Sequence, residues 1–254
     1  MKFIKTIVLF IFFISSTTPL FAETWNEPWQ KEIIQKAGYF ILGKVITSGD
    51  DGAQIEIIKS FGDAKIESKT ILINSFSLLH MTSSSGHGLH LSFESGQTVY
   101  LLLTKGKDGN YAIPTPTSGF AIVDENNNVT ATYRHSYHQA SIPQDVYEKT
   151  YSEIWSYYKT GKHNQKAILE FINENIDKNA AGFEDNEISL FFLQHAALET
   201  AYLLDISIDF KRLQKFLVSD NFHSRVSALQ LLSNSKDDEL AKLFLLEFIK
   251  NSQM

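Results

Sequence analysis

Apolar residues recur at every second position over most of the chain before Pro143, and at every third or fourth position after it. A period of two is typical of β-strands with one buried face, whereas the longer period is typical of amphipathic helices. No proline follows Pro143, and glycine, aspartate and asparagine separate the apolar runs of the first part. The change of period predicts an α+β fold, with a β-rich region followed by an α-helical region.

The first part predicts one short helix and a series of short strands. Asn26 is placed to cap the helix, Pro28 is tolerated in its first turn, and Gly38 ends it. Clusters of glycine, aspartate and asparagine mark the turns between the strands. The helix is predicted over residues 26–37, and the strands over 39–47, 54–59, 70–75, 89–93, 98–104, 111–113, 120–123 and 129–133.

Glycine and proline predict where this sheet bends. Gly43 lies inside the first strand, where it indicates a bulge or a bend of a barrel. Pro114 and Pro116 cannot donate hydrogen bonds to a neighbouring strand, so they mark an edge or a corner. Gly119 then lets the chain turn into the next strand. We therefore expect the first part to form a small antiparallel β-barrel.

The order of these elements resembles a known family. A helix precedes a long glycine-bearing strand (YFILGKVI), a second strand (AQIEIIKSF) and a later segment (FESGQTVYLLL…YAIPTPTSG). This order resembles the OB-fold barrel of the netrin-module and metalloprotease-inhibitor type, in its cysteine-free bacterial form, over residues 38–133. In the inhibitor branch, the resemblance implies that an N-terminal cysteine chelates the zinc of a protease. The present chain has no cysteine, so that mechanism is not expected here.

The second part predicts amphipathic helices with short connections. Asp209 and Asp237 are placed as helix caps, and Gly161 ends the first helix. Residues 223–249 resemble a helix pair of the HEAT type, and a small irregular helical domain is the alternative, since a solenoid needs several repeats. The stretch 187–204 is apolar almost all round, which predicts the most buried helix. The predicted helices span 145–158, 165–176, 187–204, 210–218, 223–232 and 239–249.

Residues 1–22 have the pattern of a secretory signal peptide. Their uncharged apolar run is shorter than the roughly 20 residues that a membrane helix needs. Ala22 is suited to cleavage, but Leu20 is larger than is usual at its position, so an uncleaved anchor is the alternative. We expect a secreted or periplasmic protein with no integral membrane span after cleavage. The expected division is a signal peptide over 1–22, an OB-like barrel domain over 23–142 and an α-helical domain over 143–254.

The mature chain is acidic. Loss of Lys2 and Lys5 with the signal peptide lowers the basic count from 23 to 21 against 29 acidic residues, so the formal charge changes from −6 to −8. An acidic surface repels phosphate backbones, and we therefore expect no nucleic-acid partner. The absence of cysteine excludes disulfides and a lipid-modified cysteine.

Histidines offer the candidate metal ligands. They come in two pairs with three-residue spacing, His87 with His90 and His135 with His138. This spacing places two imidazoles on one face of a helix, but on opposite sides of a strand. A site therefore requires residues to meet across the barrel. We predict His80, His87 and His90 as the metal candidates, with ordinary surface histidines as the alternative, and we predict no cofactor.

Aromatic residues offer the candidate binding surface. Trp25 and Trp29 follow the predicted cleavage site, and tyrosines and a tryptophan crowd the helix predicted over 145–158. Tyrosine and tryptophan supply a large contact area at low entropic cost, although packing between helix and barrel is the alternative. The binding candidates are Trp25, Trp29, Tyr151 and Trp155.

The remaining motifs do not indicate catalysis. The chain has neither a P-loop nor a strand-borne Gly-x-Gly-x-x-Gly. Its Ser83-Ser84-Ser85-Gly86 run does not have the Gly-x-Ser-x-Gly pattern of a nucleophile elbow. We expect an exported, non-catalytic module that binds a protein or peptide through its barrel and helical surfaces. The alternatives are a metal-assisted hydrolase that uses His80, His87 and His90, and a protease inhibitor of altered mechanism.

Overall fold

The secondary structure follows the two periods of the sequence. The computed structural model describes residues 28–49, 52–73, 93–106, 108–115, 117–136 and 138–234, together with positions 239, 242, 245 and 246. The strands in this part are β1 (Tyr39–Gly49), β2 (Gly52–Phe61), β3 (Thr70–Ile73), β4 (Thr98–Lys105), β5 (Tyr111–Ala112), β6 (Phe120–Val123), β7 (Asn128–Thr132) and β8 (Gln139–Pro143). The helices are α1 (Gln30–Lys36), α2 (Gln144–Thr160), α3 (Gln165–Ile176), α4 (Ile188–Leu203), α5 (Phe210–Leu217) and α6 (Phe222–Leu231), and a 3₁₀ turn covers Leu232–Asn234.

The first five strands close into a barrel. β1 pairs with β2 on one side and with β4 on the other, so the ring runs β1-β2-β3-β5-β4 and returns to β1. β3 and β5 are parallel where Ile73 lies opposite Tyr111, and the other pairs of the ring are antiparallel. This is the strand order of an OB-type barrel. The predicted α+β fold, with an N-terminal barrel followed by helices, is therefore confirmed.

Gly43 forms the predicted bulge in β1. The register with β2 shifts between Leu42 and Gly43, and Gly43 lies opposite Ile57 of β2 and Val99 of β4. A Cβ atom at this position would collide with the side chain of Ile55 and would lie 3.1 Å from the carbonyl oxygen of Glu56. The missing side chain thus lets β1 bend tightly enough to pair on both sides.

β4 is buried on both of its faces. Val99, Leu101 and Leu103 belong to the hydrophobic core inside the barrel. Tyr100 and Leu102 alternate with them and belong to a second core on the helical side. A strand that is covered on both faces typically has a continuous run of apolar residues, and β4 has the run VYLLL.

The second core joins the sheet to the helices. β6, β7 and β8 extend the sheet beyond β4, and α2 and α4 contact this extension. Phe40 of β1 stacks on Phe61 with ring centroids 4.4 Å apart, and it lies 5.8 Å from the ring of Trp155 on α2. Barrel and helices therefore share one hydrophobic core. Their division into two domains near residue 142 stays a prediction.

Local signals in the sequence placed most elements correctly. The predicted strand 120–123 and helix 165–176 coincide with β6 and α3, and the predicted buried helix 187–204 corresponds to α4. Gly161 ends α2 with a left-handed φ of 73°, and Asp209 caps α5 by accepting a hydrogen bond of 2.8 Å from the backbone N–H of Lys211. β8 has no counterpart in the sequence prediction.

Several predicted segments lie outside the described residues. They are the signal peptide over 1–22, nearly all of the strand predicted over 89–93, and most of the helix predicted over 239–249 with its cap Asp237. Among the helices of the described part, none is sufficiently long and apolar to cross a membrane.

Candidate functional site

A cleft opens where α1, the segment after β7, α4 and α6 meet, and we name it the junction cleft. Its volume is about 550 Å³. Apolar and aromatic side chains form most of its wall, and the exposed Lys31 and Glu32 also border it. The wall residues used below are Trp29, Tyr133, Arg134, Tyr202, Leu203 and Leu229.

Hydrogen bonds at both ends of α1 position Trp29 beside the cleft. The backbone N–H of Gln30 donates to the carbonyl oxygen of Arg134 at 2.8 Å, which ties the first turn of α1 to the segment after β7. At the other end, the ammonium group of Lys159 donates to backbone carbonyls of the last turn, where a cation is favourable. Trp29 stays 49% exposed, and its ring centroid lies 6.0 Å from that of His135.

Arg134 is a buried cation in the wall of the junction cleft. Its side chain is 2% exposed, and its Nε atom lies 3.5 Å from Oε1 of Glu199 on α4. None of its three guanidinium nitrogens makes a hydrogen bond with a described residue. Because a charge removed from water is costly unless it is both paired and hydrogen-bonded, this guanidinium is incompletely satisfied.

Ser227 of α6 is hydrogen-bonded to Glu199. Its hydroxyl group donates to Oε1 of Glu199 at 2.6 Å, and this is the same oxygen that faces Arg134. Burial raises the pKa of Glu199, while the charge of Arg134 and the hydrogen bond from Ser227 act in the opposite direction. Glu199 therefore retains a proton more readily than an exposed glutamate does.

Four histidines surround this ion pair, and we name them the histidine cluster (His135, His138, His195 and His223). The ring of His138 lies 6.1 Å from that of His135 and 5.2 Å from that of His223. Burial lowers the pKa of His195 to about 3 and that of His138 to about 4, and the charge of Arg134 adds to both shifts. Both imidazoles are therefore neutral at neutral pH.

Ser227, His195 and Glu199 do not form a catalytic triad. In a triad, the histidine lies between the serine and the carboxylate and takes the serine proton. Here the hydroxyl of Ser227 donates directly to Glu199, and Nδ1 of His195 lies 3.3 Å from the same hydroxyl oxygen. Ser227 is 1% exposed, so a substrate cannot reach it in this conformation. The arrangement stabilises the interior and does not activate a nucleophile.

The described residues do not assemble a metal site. No group of three or more histidine, aspartate and glutamate side chains in this part is arranged to hold an ion. Electrostatics agrees, since the guanidinium of Arg134 beside these imidazoles opposes the approach of another cation. The predicted metal ligands His80, His87 and His90 lie outside the described residues. The metal site and the hydrolase activity that would depend on it therefore stay predictions.

The predicted binding residues are divided between surface and core. Trp29 is half-exposed at the junction cleft, and Trp25 lies outside the described residues. Tyr151 and Trp155 are buried in the core between α2 and the barrel, where the Tyr151 hydroxyl donates to the carbonyl oxygen of Thr132. Their burial fits the packing alternative, and a ligand role for either residue stays a prediction.

Sequence reasoning did not identify Arg134 and Glu199. A local signal existed for Glu199, because it is a charged residue in the stretch HAALETAYLL, which otherwise predicts burial on every face. A buried carboxylate requires a partner. The partner lies 65 positions earlier, after β7, and only the packing of α4 on the sheet brings the two together.

Comparisons with models of protein families, with curated proteins and with solved structures found no match for this chain. The features of the molecule that bear on function are therefore the junction cleft and the charged residues behind its wall.

Proposed function

We propose that the protein is a non-catalytic binding module that recognises a protein or peptide segment in the junction cleft. The observation that carries the proposal is the exposed face of Trp29 beside a mostly apolar cleft of about 550 Å³. Ligand sites typically fall between ~300 and ~1,000 Å³ and combine apolar walls with a few polar groups. An accessible tryptophan is also a frequent energetic centre of protein interfaces.

The rim favours a peptide over an oligonucleotide. Lys31 and Glu32 lie next to each other on α1 with opposite charges, so this edge attracts neither a polyanion nor a polycation. The chain as a whole is acidic, which opposes phosphate backbones. A peptide with one or two large apolar side chains matches the aromatic wall.

A library of displayed random peptides, screened against the full mature protein, tests this function. We expect the enriched peptides to share apolar residues and to lose at least about tenfold in affinity for Trp29→Ala. Val218→Ala is the matched control, because Val218 is exposed on another surface of the helical region and does not line the cleft. A screen without enrichment, or peptides that bind all three proteins equally, would refute the proposal.

We further propose that the barrel is of the netrin-module type and that the helical region is of the HEAT type. The strand order of the barrel and the bulge at Gly43 support the first assignment. The packing of α6 against α4 and α5 supports a layered helical arrangement. A structure of a relative with several such helix pairs in tandem would support the HEAT assignment, and a relative with an unrelated helical topology would contradict it.

Export is part of the same proposal. The sequence pattern of residues 1–22 supports a cleaved signal and a periplasmic or secreted product. N-terminal sequencing of the protein recovered from fractionated cells tests it. We expect the mature chain to begin at Glu23 in the periplasmic or external fraction, whereas a cytoplasmic chain that begins at Met1 would contradict export.

A further inference from the structure

The inference concerns the ligand chemistry of the junction cleft and rests on the function proposed above. Arg134 is the one buried cation among the described residues that line the cleft. Its Nε atom faces Glu199, at 3.5 Å. The outer nitrogens Nη1 and Nη2 make no hydrogen bond with a described residue. The two-pronged end of the guanidinium thus has donors that no described residue uses, and Oε2 of Glu199 is likewise without a hydrogen bond among the described residues.

The charge around Arg134 is only partly balanced. Charged Arg–carboxylate hydrogen bonds are about 2.7–2.9 Å long, so the 3.5 Å separation from Glu199 is a loose pairing. Ser227 competes for the same glutamate oxygen, and burial favours the protonated form of Glu199 by raising its pKa. His138 and His195 contribute no negative charge. The site therefore has a deficit of negative charge that a bound anion can supply.

We propose that the junction cleft binds a carboxylate carried by an apolar group, with the carboxylate on Nη1 and Nη2 of Arg134 and the apolar group along Tyr202, Leu203 and Leu229 beneath Trp29. A planar guanidinium offers two parallel N–H donors that match the two oxygens of a carboxylate. The ion pair forms away from water, where it is stronger than at the surface.

The wall selects a carboxylate over a phosphate. One buried guanidinium balances one negative charge. A dianionic phosphate would therefore keep a second, uncompensated charge beside the mostly apolar wall, and Glu32 at the rim would repel it. Because Arg134 is 2% exposed, the ligand must displace side chains of the wall to reach it. We therefore expect association to be slow for a ligand of this size.

Two sources share this chemistry, namely the C-terminus of a peptide and a free carboxylic acid. Both are tested on the full mature protein by isothermal titration calorimetry. The peptide probe is acetyl-Ala-Ala-Leu-Phe as the free acid, compared with its C-terminal amide. The small-molecule probe is 3-phenylpropionate, compared with 3-phenylpropionamide.

We expect the free-acid peptide to bind at least about tenfold more tightly than its amide. Arg134→Lys, which keeps the charge but loses the two-pronged donor, should remove most of that difference, and Lys36→Gln, an exposed cation of α1 away from the cleft, should not. Binding of 3-phenylpropionate in addition to the peptide indicates that a free acid suffices, and binding of the peptide alone identifies the peptide C-terminus as the ligand.

The comparison of acid and amide needs no variant, so it remains decisive if Arg134→Lys does not fold. If the peptide acid and the peptide amide bind with equal affinity, the carboxylate proposal is overturned. If Trp29→Ala abolishes the binding of both, the peptide-binding function is still supported. Failure of both acids to bind also overturns the carboxylate proposal. The peptide-binding function itself is judged by the random peptide screen, and it falls if that screen is empty or if its peptides bind wild type, Trp29→Ala and Val218→Ala equally.

Discussion

Tyr133 and Thr150 join their hydroxyl groups through a hydrogen bond of 2.7 Å inside the core between the sheet and α2. Thr150 also has two backbone carbonyl acceptors, Val146 at 2.9 Å and Tyr147 at 3.2 Å, and donation of its single proton to either of them makes Tyr133 the donor in the bond between the two hydroxyls. Tyr133 also lines the junction cleft and immediately precedes Arg134. This buried bond therefore fixes the segment that carries the proposed ligand-binding residue.

Removal of this hydrogen bond should lower the stability by different amounts, depending on whether Tyr133 or Thr150 is replaced. Tyr133→Phe leaves Thr150 hydrogen-bonded to Val146, and we expect it to lower the free energy of unfolding by about 1 kcal/mol. Thr150→Val leaves the Tyr133 hydroxyl buried without an acceptor, and we expect a loss of about 1–3 kcal/mol. Urea unfolding followed by circular dichroism measures both. Equal losses, or a larger loss for Tyr133→Phe, would argue against the assigned direction of the bond.

Gly43→Ala should weaken the barrel through a steric clash. The new Cβ atom meets the side chain of Ile55 inside the barrel, and we expect a loss of about 1–3 kcal/mol in the free energy of unfolding. Gly49→Ala in the same strand is the control, because a Cβ there has no neighbour within 4 Å among the described residues. Thermal unfolding compares the two variants with the wild type, and similar melting temperatures for both would contradict the close approach at Gly43.

The histidine cluster should make the protein less stable in acid. The pKa of His195 is lowered to about 3 and that of His138 to about 4, against 6.5 for an ordinary histidine. Between these values and pH 6.5, only the unfolded chain takes up the protons. The free energy of unfolding therefore falls as the pH drops below about 6.5. The fully buried His195 contributes up to about 1.4 kcal/mol per pH unit, whereas the partly exposed His138 contributes less because solvent screens its charge.

His195→Asn tests this dependence, since asparagine does not titrate. Urea titrations at pH 7 and pH 5 should show a smaller loss of stability for the variant than for the wild type. Glu199 changes the free energy of unfolding in the opposite direction, because its pKa is raised in the folded state. Its stabilising contribution is complete below the ordinary carboxyl pKa near 4.5 and is lost as the pH rises. An unchanged pH slope in His195→Asn would exclude His195 as a source of the effect.

Glu199→Gln should be strongly destabilising because it leaves Arg134 buried without a counter-charge. Removal of one partner of a buried ion pair typically costs about 3–5 kcal/mol, and the loose pairing and raised pKa of Glu199 place the expected loss at the lower end of this range. The double variant Arg134→Met with Glu199→Gln removes both charges, and we expect it to recover a substantial part of that loss. Chemical unfolding of the two proteins provides the comparison. A double variant that is no more stable than Glu199→Gln would show that the charge pair is not the cause.

The elements could be predicted from the sequence wherever the determining signal was local. Alternation predicted β6, a helical period with an asparagine cap predicted α3, and Gly43 marked the bulge. β8 was missed because it is only five residues long and ends on Pro143, so Ala140 and Ile142 were its only buried alternating positions.

The site was less predictable, since its parts are distant in sequence. Trp29 was identified as an aromatic residue near the mature N-terminus, but the same reasoning selected Tyr151 and Trp155, which packing on the barrel buries. The contact of Arg134 with Glu199 depends on how α4 lies against the end of the sheet. Periodicity indicates that a residue is buried, but it does not identify its partner.

The double burial of β4 has a consequence for how the chain can be divided. One face of this strand completes the interior of the barrel, and the other face lies under the helical layer through Tyr100 and Leu102. Truncation after β8 would leave Tyr100 and Leu102 without the helices that cover them, and such a fragment would be prone to aggregate. The barrel and helices should accordingly unfold as one cooperative unit. A destabilising substitution in either part should then lower the melting temperature of both.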